Sequence, residues 1–256
     1  MNARPDKSLK PLKWYKHLGT KKGRQAHGCF LIEGTRSIQQ VLNVCPKAME
    51  ELIVVSGTKP LGVSCPIRVL TEIQFKSISV NKTPQGLAGV IRLPEGWNSD
   101  MLPENPGDLI LLLENIQDPG NVGTLMRTAA AFGFSGMILS DQCVDPFSPK
   151  SAQAAAGTMM SIWIRRTSSY MQLIKTLMSR KYDFIAMDMK GDQNIWELKR
   201  SEKLILALGN EGSGLSPDVM KLSTQQVRIH IDNRKAESLN VAVCGGIGMH
   251  HLALKK

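Results

Sequence analysis

The chain has 256 residues, of which 42% are hydrophobic, and a formal net charge of +10. That length suits one large or two modest domains with a real core. No apolar run reaches the length of a membrane-spanning helix, and the basic, polar start lacks the apolar stretch of a secretory leader. The five cysteines are scattered without a C-x-x-C pair, and the five histidines show no metal-ligand spacing. Reduced thiols in the cytoplasm and no bound metal are the expectation.

The charge is uneven. Residues 1–107 hold 15 Lys/Arg against 8 Asp/Glu, and residues 108–256 hold 17 against 14. Residues 1–28 read as a basic arm, with Arg4, Lys7, Lys10, Lys13, Lys16, Lys21, Lys22 and Arg24 set against Asp6. Such a surface draws polyphosphate through counterion release. A solvated tail is the plain alternative, but Trp14, Tyr15 and His17 lie among the lysines, and rings can stack on unpaired bases. Lys13, Lys21, Lys22, Arg24 and, further on, Arg36 are the candidate RNA contacts.

In chain order, residues 29–33 read as a short strand, and Gly34 opens a helix carrying Ile38, Val41 and Leu42 on one face. Strands follow at 51–57 and 66–70, then a helix from about Thr71, then a strand over 87–92. Residues 29–93 therefore form a small α/β unit. The proline-rich stretch 94–107 reads as a linker and domain boundary.

Residues 108–256 read as a second domain. DLILLLEN contains a buried strand, and a helix enters at Asn121 as N-cap, with Val122, Leu125, Met126, Ala129 and Ala130 as its apolar face. Arg127 sits beside that stripe. Strands are expected at 136–140, 161–166, 183–189 and 204–208, with helices over 151–157 and 168–181 between them. This alternation argues a mainly parallel sheet. Leu204–Leu208 stops at Gly209, and Gly212 and Gly214 follow. Their G-x-x-G-x-G spacing is not the dinucleotide fingerprint. Val227, Ile229 and Ile231 alternate with polar residues as a further strand, and Ser238-Leu239-Asn240 open the last helix. Gly245, Gly246 and Gly248 would each cost roughly 1 kcal/mol in that helix unless they permit close packing, within the chain or across a dimer.

Three segments, ENIQDPGNVGTLMRTA (114–129), LALGNEGSGLS (206–216) and VRIHIDNRKAESLNVAV (227–243), resemble in order the three motifs of the SpoU/TrmH family of SPOUT methyltransferases. FLIEGTRSIQQVL and TPQGLAGV, within 29–93, more loosely resemble that family's L30e-like substrate-binding domain. The resemblance implies an α/β fold with a C-terminal trefoil-knot domain over 108–256, an exception to unthreaded chains. It also implies a homodimer and S-adenosylmethionine-dependent methylation of a ribose 2′-hydroxyl in structured RNA. Ribosomal RNA is favoured; transfer RNA, or a non-catalytic RNA-binding role, is the alternative.

Carried over by position, Arg127, Asn121, Glu211, Ser238 and Asn240 would form the polar catalytic site. Leu208, Gly209, Asn210, Gly214, Ile229, Ile231, Ser238 and Leu239 would hold the cofactor. Arginine stays protonated, so Arg127 suits stabilisation of a forming alkoxide better than literal base catalysis. The sequence departs from the family pattern at His230, where proline is common, at Asn210, where serine is frequent, and in the glycine-rich CGGIG of 244–248.

Overall fold

The computed structural model describes residues 10–253 other than 82 and 200. The chain divides into two compact units, Met1–Glu95 with Asp145–Ser161, and Gly96–Val144 with Ile162–Lys256.

The first unit begins with helices α1 (Leu12–Leu18) and α2 (Lys21–His27), followed by β1 (Cys29–Glu33), α3 (Thr35–Val44), β2 (Met49–Val55), β3 (Ile67–Leu70), α4 (Glu72–Ile78) and β4 (Leu87–Arg92). Its four-stranded sheet has the order β1-β4-β2-β3. Strand β4 is antiparallel to both neighbours, and β2 and β3 run parallel. The expected basic arm is, over its described part, two helices belonging to this unit. Tyr15 and Leu18, three apart on one helical face, are buried with Phe75, Ile78 and Val90 in one cluster. Residues 1–9 of that arm lie outside the described residues.

The second unit starts with β5 (Leu109–Leu113), α5 (Pro119–Ala131) and β6 (Gly136–Ser140). The chain then contributes residues 145–161 to the first unit, so the expected uninterrupted domain 108–256 is broken there. That excursion carries helix α6 (Pro149–Ala155). It is anchored by the Phe147 ring, 5.1 Å from that of Phe30, and by Asp145, which pairs with Arg24. The chain returns as β7 (Trp163–Thr167), α7 (Tyr170–Ser179), β8 (Asp183–Met187), β9 (Gln193–Asn194), β10 (Leu204–Leu208), α8 (Pro217–Leu222), β11 (Gln225–Arg228) and α9 (Val241–Ala253). The seven strands lie in the order β7-β6-β5-β10-β8-β11-β9, and every pairing is parallel. Central strands β5 and β10 are buried throughout, as their unbroken apolar runs require.

The stretch expected as a linker has a structural task. From Gly96 it packs in the second unit along edge strand β7. The Arg166 amide donates to the Trp97 carbonyl at 2.8 Å, Arg165 Nε to the Met101 carbonyl at 2.7 Å, and Trp163 Nε1 to the Pro106 carbonyl at 2.8 Å. Its prolines suit an edge, where a missing N–H interrupts no ladder.

Helix α9 resolves the glycine question within the chain. A Cβ on Gly245 would stand 2.3 Å from Leu125 Cδ2 and 2.6 Å from Leu208 Cδ1, and one on Gly248 would stand 2.7 Å from Met187 Sδ. These two glycines let α9 press against α5 and the sheet. Gly246 faces open space by comparison, its nearest neighbour being Thr128 Cγ2 at 3.9 Å.

Candidate active site

Strands β5 and β10 are adjacent and end in register at Leu113 and Leu208. Their carboxyl ends deliver two loops side by side, the usual ligand position in open parallel sheets. After β5 come Glu114 and Asn115, the latter in the left-handed region at φ 59. Asn tolerates that conformation better than most residues. Asp118, not Asn121, caps α5: its carboxylate accepts the Asn121 amide at 2.9 Å, and Pro119 fills the first helical position. The Asn121 side chain is thereby released for other work.

After β10 the loop folds on itself. The Asn210 and Gly214 main chains exchange hydrogen bonds of 3.0 and 2.9 Å. A Cβ on Gly209 would meet the Gly214 carbonyl carbon at 2.1 Å, so only glycine fits this crossing. Asn210 organises the turn from within: Oδ1 accepts the Gly212 and Ser213 amides at 2.9 and 3.1 Å, while Nδ2 donates to the Asn115 carbonyl at 2.8 Å. Here asparagine supplies both a donor and an acceptor, which serine at this position would do over a shorter reach.

Three of the expected catalytic residues meet. Asn121 Nδ2 donates to Glu211 Oε1 at 2.9 Å, and Asn121 Oδ1 accepts from Asn240 Nδ2 at 3.0 Å. Asn240 Oδ1 in turn accepts the amides of Ala242 and Val243 at 2.8 and 3.3 Å, so Asn240 caps α9. The last helix therefore opens at Val241, beyond the expected start at Ser238. Arg127 and Ser238 are exposed, and neither side chain makes a hydrogen bond among the described residues. Arg127 lies six positions after Asn121, about 9 Å further along α5 and roughly 120° around it.

Strand β11 covers Gln225–Arg228, two residues earlier than its alternation suggested, and Ile229 and Ile231 lie in the loop beyond it. Both neighbours run out here: β8 ends at Met187, opposite Val227, and the edge partner β9 is only two residues long. Among the described residues, the main-chain groups of Ile229, His230 and Ile231 make no hydrogen bond. Half-buried isoleucines with unpaired amides and carbonyls suit a flat, polar-edged heterocycle. Glu114, Tyr170 and Ser216, which the sequence pattern alone does not single out, belong to the same region. Glu114 is only 1% exposed, and it accepts from Tyr170 Oη and from the amide and hydroxyl of Ser216. A carboxylate directly after five buried apolar residues was the available signal. Burial, and then the Glu114 hydrogen bond, push the Tyr170 phenol above its ordinary range.

In the first unit, Lys13, Lys21, Lys22 and Arg36 are exposed. Arg24 is not available to RNA. It is 4% exposed, bonds Asp145 at 2.5 Å, and donates to the Leu18 and Gly19 carbonyls at 2.9 and 3.0 Å. Tyr15, fully buried, cannot stack on a base either. Its hydroxyl donates to Glu51 at 2.9 Å and accepts from Arg68 Nη1 at 2.7 Å.

An all-parallel α/β sheet with three polar loops joined at its carboxyl edge defines a ligand-binding class of domain, and family comparison makes it specific. Residues 108–250 match the SpoU rRNA Methylase family, and residues 10–89 match the MRM3-like substrate binding domain. The chain belongs to the SpoU rRNA methylase family. It is 31% identical over 248 residues to a Bacillus subtilis 23S rRNA (guanosine(2553)-2′-O)-methyltransferase, covering 94% of this chain and 95% of that protein. Its fold matches a TrmH-family protein from Porphyromonas gingivalis with a TM-score of 0.81 at 29% identity, over 97% and 98% of the two chains. An AdoMet-bound rRNA methyltransferase from Sinorhizobium meliloti gives a TM-score of 0.80 at 25% identity, over 94% and 93%.

Proposed function

We propose that this chain transfers a methyl group from S-adenosylmethionine to a ribose 2′-hydroxyl in structured RNA, ribosomal RNA above all. The observation that carries this reading is the hydrogen-bonded chain Glu211–Asn121–Asn240, which ties together the three motif segments at one edge of the sheet. The Bacillus subtilis relative, aligned over nearly the whole of both chains, is a 2′-O-methyltransferase of 23S rRNA, and the Sinorhizobium meliloti neighbour binds AdoMet.

The unpaired main chain of Ile229–Ile231 fits the edge of an adenine, and the side-chain-free backbone of the Gly209–Gly214 turn lets the remainder of the cofactor approach closely. Leu208, Gly209, Asn210, Gly214, Ile229, Ile231, Ser238 and Leu239 would hold it. When bound, S-adenosylmethionine supplies a methyl group already activated by the sulfonium. What is left for the protein is to align a weak ribose nucleophile and to ease its proton away. The exposed guanidinium of Arg127 stabilises negative charge gathering on the 2′-oxygen. Asn121, held from both sides, fixes the spacing of the loops around the reacting sugar. Glu211 orients Asn121 and can accept a ribose hydroxyl, and Ser238 and Asn240 orient the nucleotide.

Lys13, Lys21, Lys22 and Arg36 attract the RNA backbone. The protein works in the cytoplasm as a homodimer, and Val243, an apolar side chain 50% exposed on α9, belongs to the contact surface. Light scattering on purified protein tests the dimer. Mass spectrometry of ribosomal and transfer RNA from cells lacking the protein tests the activity. Loss of one ribose methyl from ribosomal RNA is expected, whereas loss from transfer RNA alone, or from neither, contradicts the reading.

A further inference from the structure

We infer that Glu114 and Asn115 are positioning residues: side by side at the end of β5, they pin the two ends of the glycine-rich loop 209–216 and so set the affinity of the cofactor site. The inference rests on the cofactor reading above.

At one end of the loop, Asn210 Nδ2 donates to the Asn115 carbonyl at 2.8 Å. At the other, the Ser216 amide donates to Glu114 Oε2 at 2.7 Å and its hydroxyl to Oε1 at 2.7 Å. Two consecutive residues thus hold two points six positions apart on a loop containing Gly212 and Gly214. Glycine gives such a loop many conformations to lose when it closes on a ligand, and anchored ends remove most of that cost beforehand.

The anchors are themselves braced. Tyr170 Oη donates to Glu114 Oε1 at 2.6 Å. Ser140 Oγ accepts the Asn115 amide at 2.9 Å and donates to Asn115 Oδ1 at 2.8 Å, which holds Asn115 at its positive φ. Glu114 is buried and forms no ion pair among the described residues. A buried carboxylate surrounded only by hydroxyl and amide donors is an expensive way to fill space. What it provides is the acceptor geometry that a donor-rich loop end needs.

The test uses the full-length protein, S-adenosylmethionine titrated by calorimetry, and RNA binding measured separately. Glu114→Ala is expected to weaken S-adenosylmethionine binding about tenfold or more, with RNA affinity held within about twofold. Glu114→Gln is expected to stay within about threefold of wild type, because its carboxamide oxygen still takes the Ser216 amide while its nitrogen donates to the two hydroxyls. Ser140→Ala, which frees Asn115 without touching the loop, is expected to weaken binding about threefold or more, and it decides the matter if Glu114→Ala does not fold. A folded Glu114→Ala protein that binds S-adenosylmethionine within about twofold of wild type overturns the inference. So does an equal loss of RNA affinity, or a Glu114→Gln protein as weak as Glu114→Ala. If wild type itself binds no S-adenosylmethionine, the cofactor reading fails before the positioning role is reached.

Discussion

Asn121 Nδ2 lies 2.9 Å from Glu211 Oε1, although 90 positions of chain separate the two residues. The contact is available because Asp118 takes over the capping of α5. Glu211→Ala removes the acceptor and leaves the Asn121 amide to water, so methyl transfer is expected to fall about 10- to 100-fold with little change in melting temperature. Glu211→Gln keeps an acceptor oxygen and is expected to retain more activity than Glu211→Ala. Single-turnover kinetics on the two variants check the order.

Arg127→Ala is expected to abolish methyl transfer while leaving S-adenosylmethionine and RNA affinities close to wild type. The Arg127 side chain carries no hydrogen bond among the described residues, so the protein should remain folded. Normal turnover by this variant would remove Arg127 from the mechanism.

Glycines 245 and 246 are neighbours with opposite expectations. Gly245→Ala drives a methyl group into Leu125 and Leu208 and is expected to destabilise by about 1–3 kcal/mol. Gly246→Ala meets nothing nearer than 3.9 Å and gains helix propensity, so it should be neutral or stabilising by up to about 1 kcal/mol. Denaturant melts of the pair measure the difference.

Basic residues near the N-terminus should separate in the same way. Arg24→Ala leaves the half-buried Asp145 without its partner and is expected to cost about 3 kcal/mol of stability. Exposed Lys21 and Lys22, changed together to alanine, should leave stability unaltered, weaken RNA binding and reduce the slope of log affinity against log salt by up to about 2. Filter binding across a salt series measures that slope.

All three tyrosines are held in their neutral form above the ordinary phenol range. Burial is the leading cause at each, and together with the Glu51 hydrogen bond, against the opposing pull of Arg68, it pushes Tyr15 up to about 12. A raised native pKa favours the protonated form, so this contribution to stability is fully present below about pH 10 and is lost as pH rises through about 12. Phenolate absorbance should therefore lag in the native protein and appear near pH 10 in guanidinium. Coincident titration curves would contradict the buried Tyr15–Glu51–Arg68 arrangement.

Much of this was legible in the sequence because local pattern and final environment agree. The unbroken apolar runs of β5 and β10 could only be strands buried on both faces, and the three polar segments were recognisable by their order. What escaped depends on contacts between distant residues. The packing of Tyr15 and Leu18 into the first unit is invisible in a lysine-rich stretch. The role of Arg24 is set by Asp145, 121 positions away. At Asp118 and Asn121 two good caps competed for one helix, and Pro119 at the first helical position decides for Asp118. Ile229 and Ile231 alternate as a strand should, yet β9 is too short to pair with them.

The methyl group is expected on a ribose oxygen and not on a base. The most direct measurement is to incubate the protein with RNA and methyl-labelled S-adenosylmethionine, then hydrolyse the RNA in alkali. Strand cleavage by alkali needs a free 2′-hydroxyl, so a methylated ribose survives as an alkali-resistant dinucleotide. Label is expected in that dinucleotide and is lost with Arg127→Ala. Label released as mononucleotide, which marks a methylated base, or no transfer at all, would contradict it.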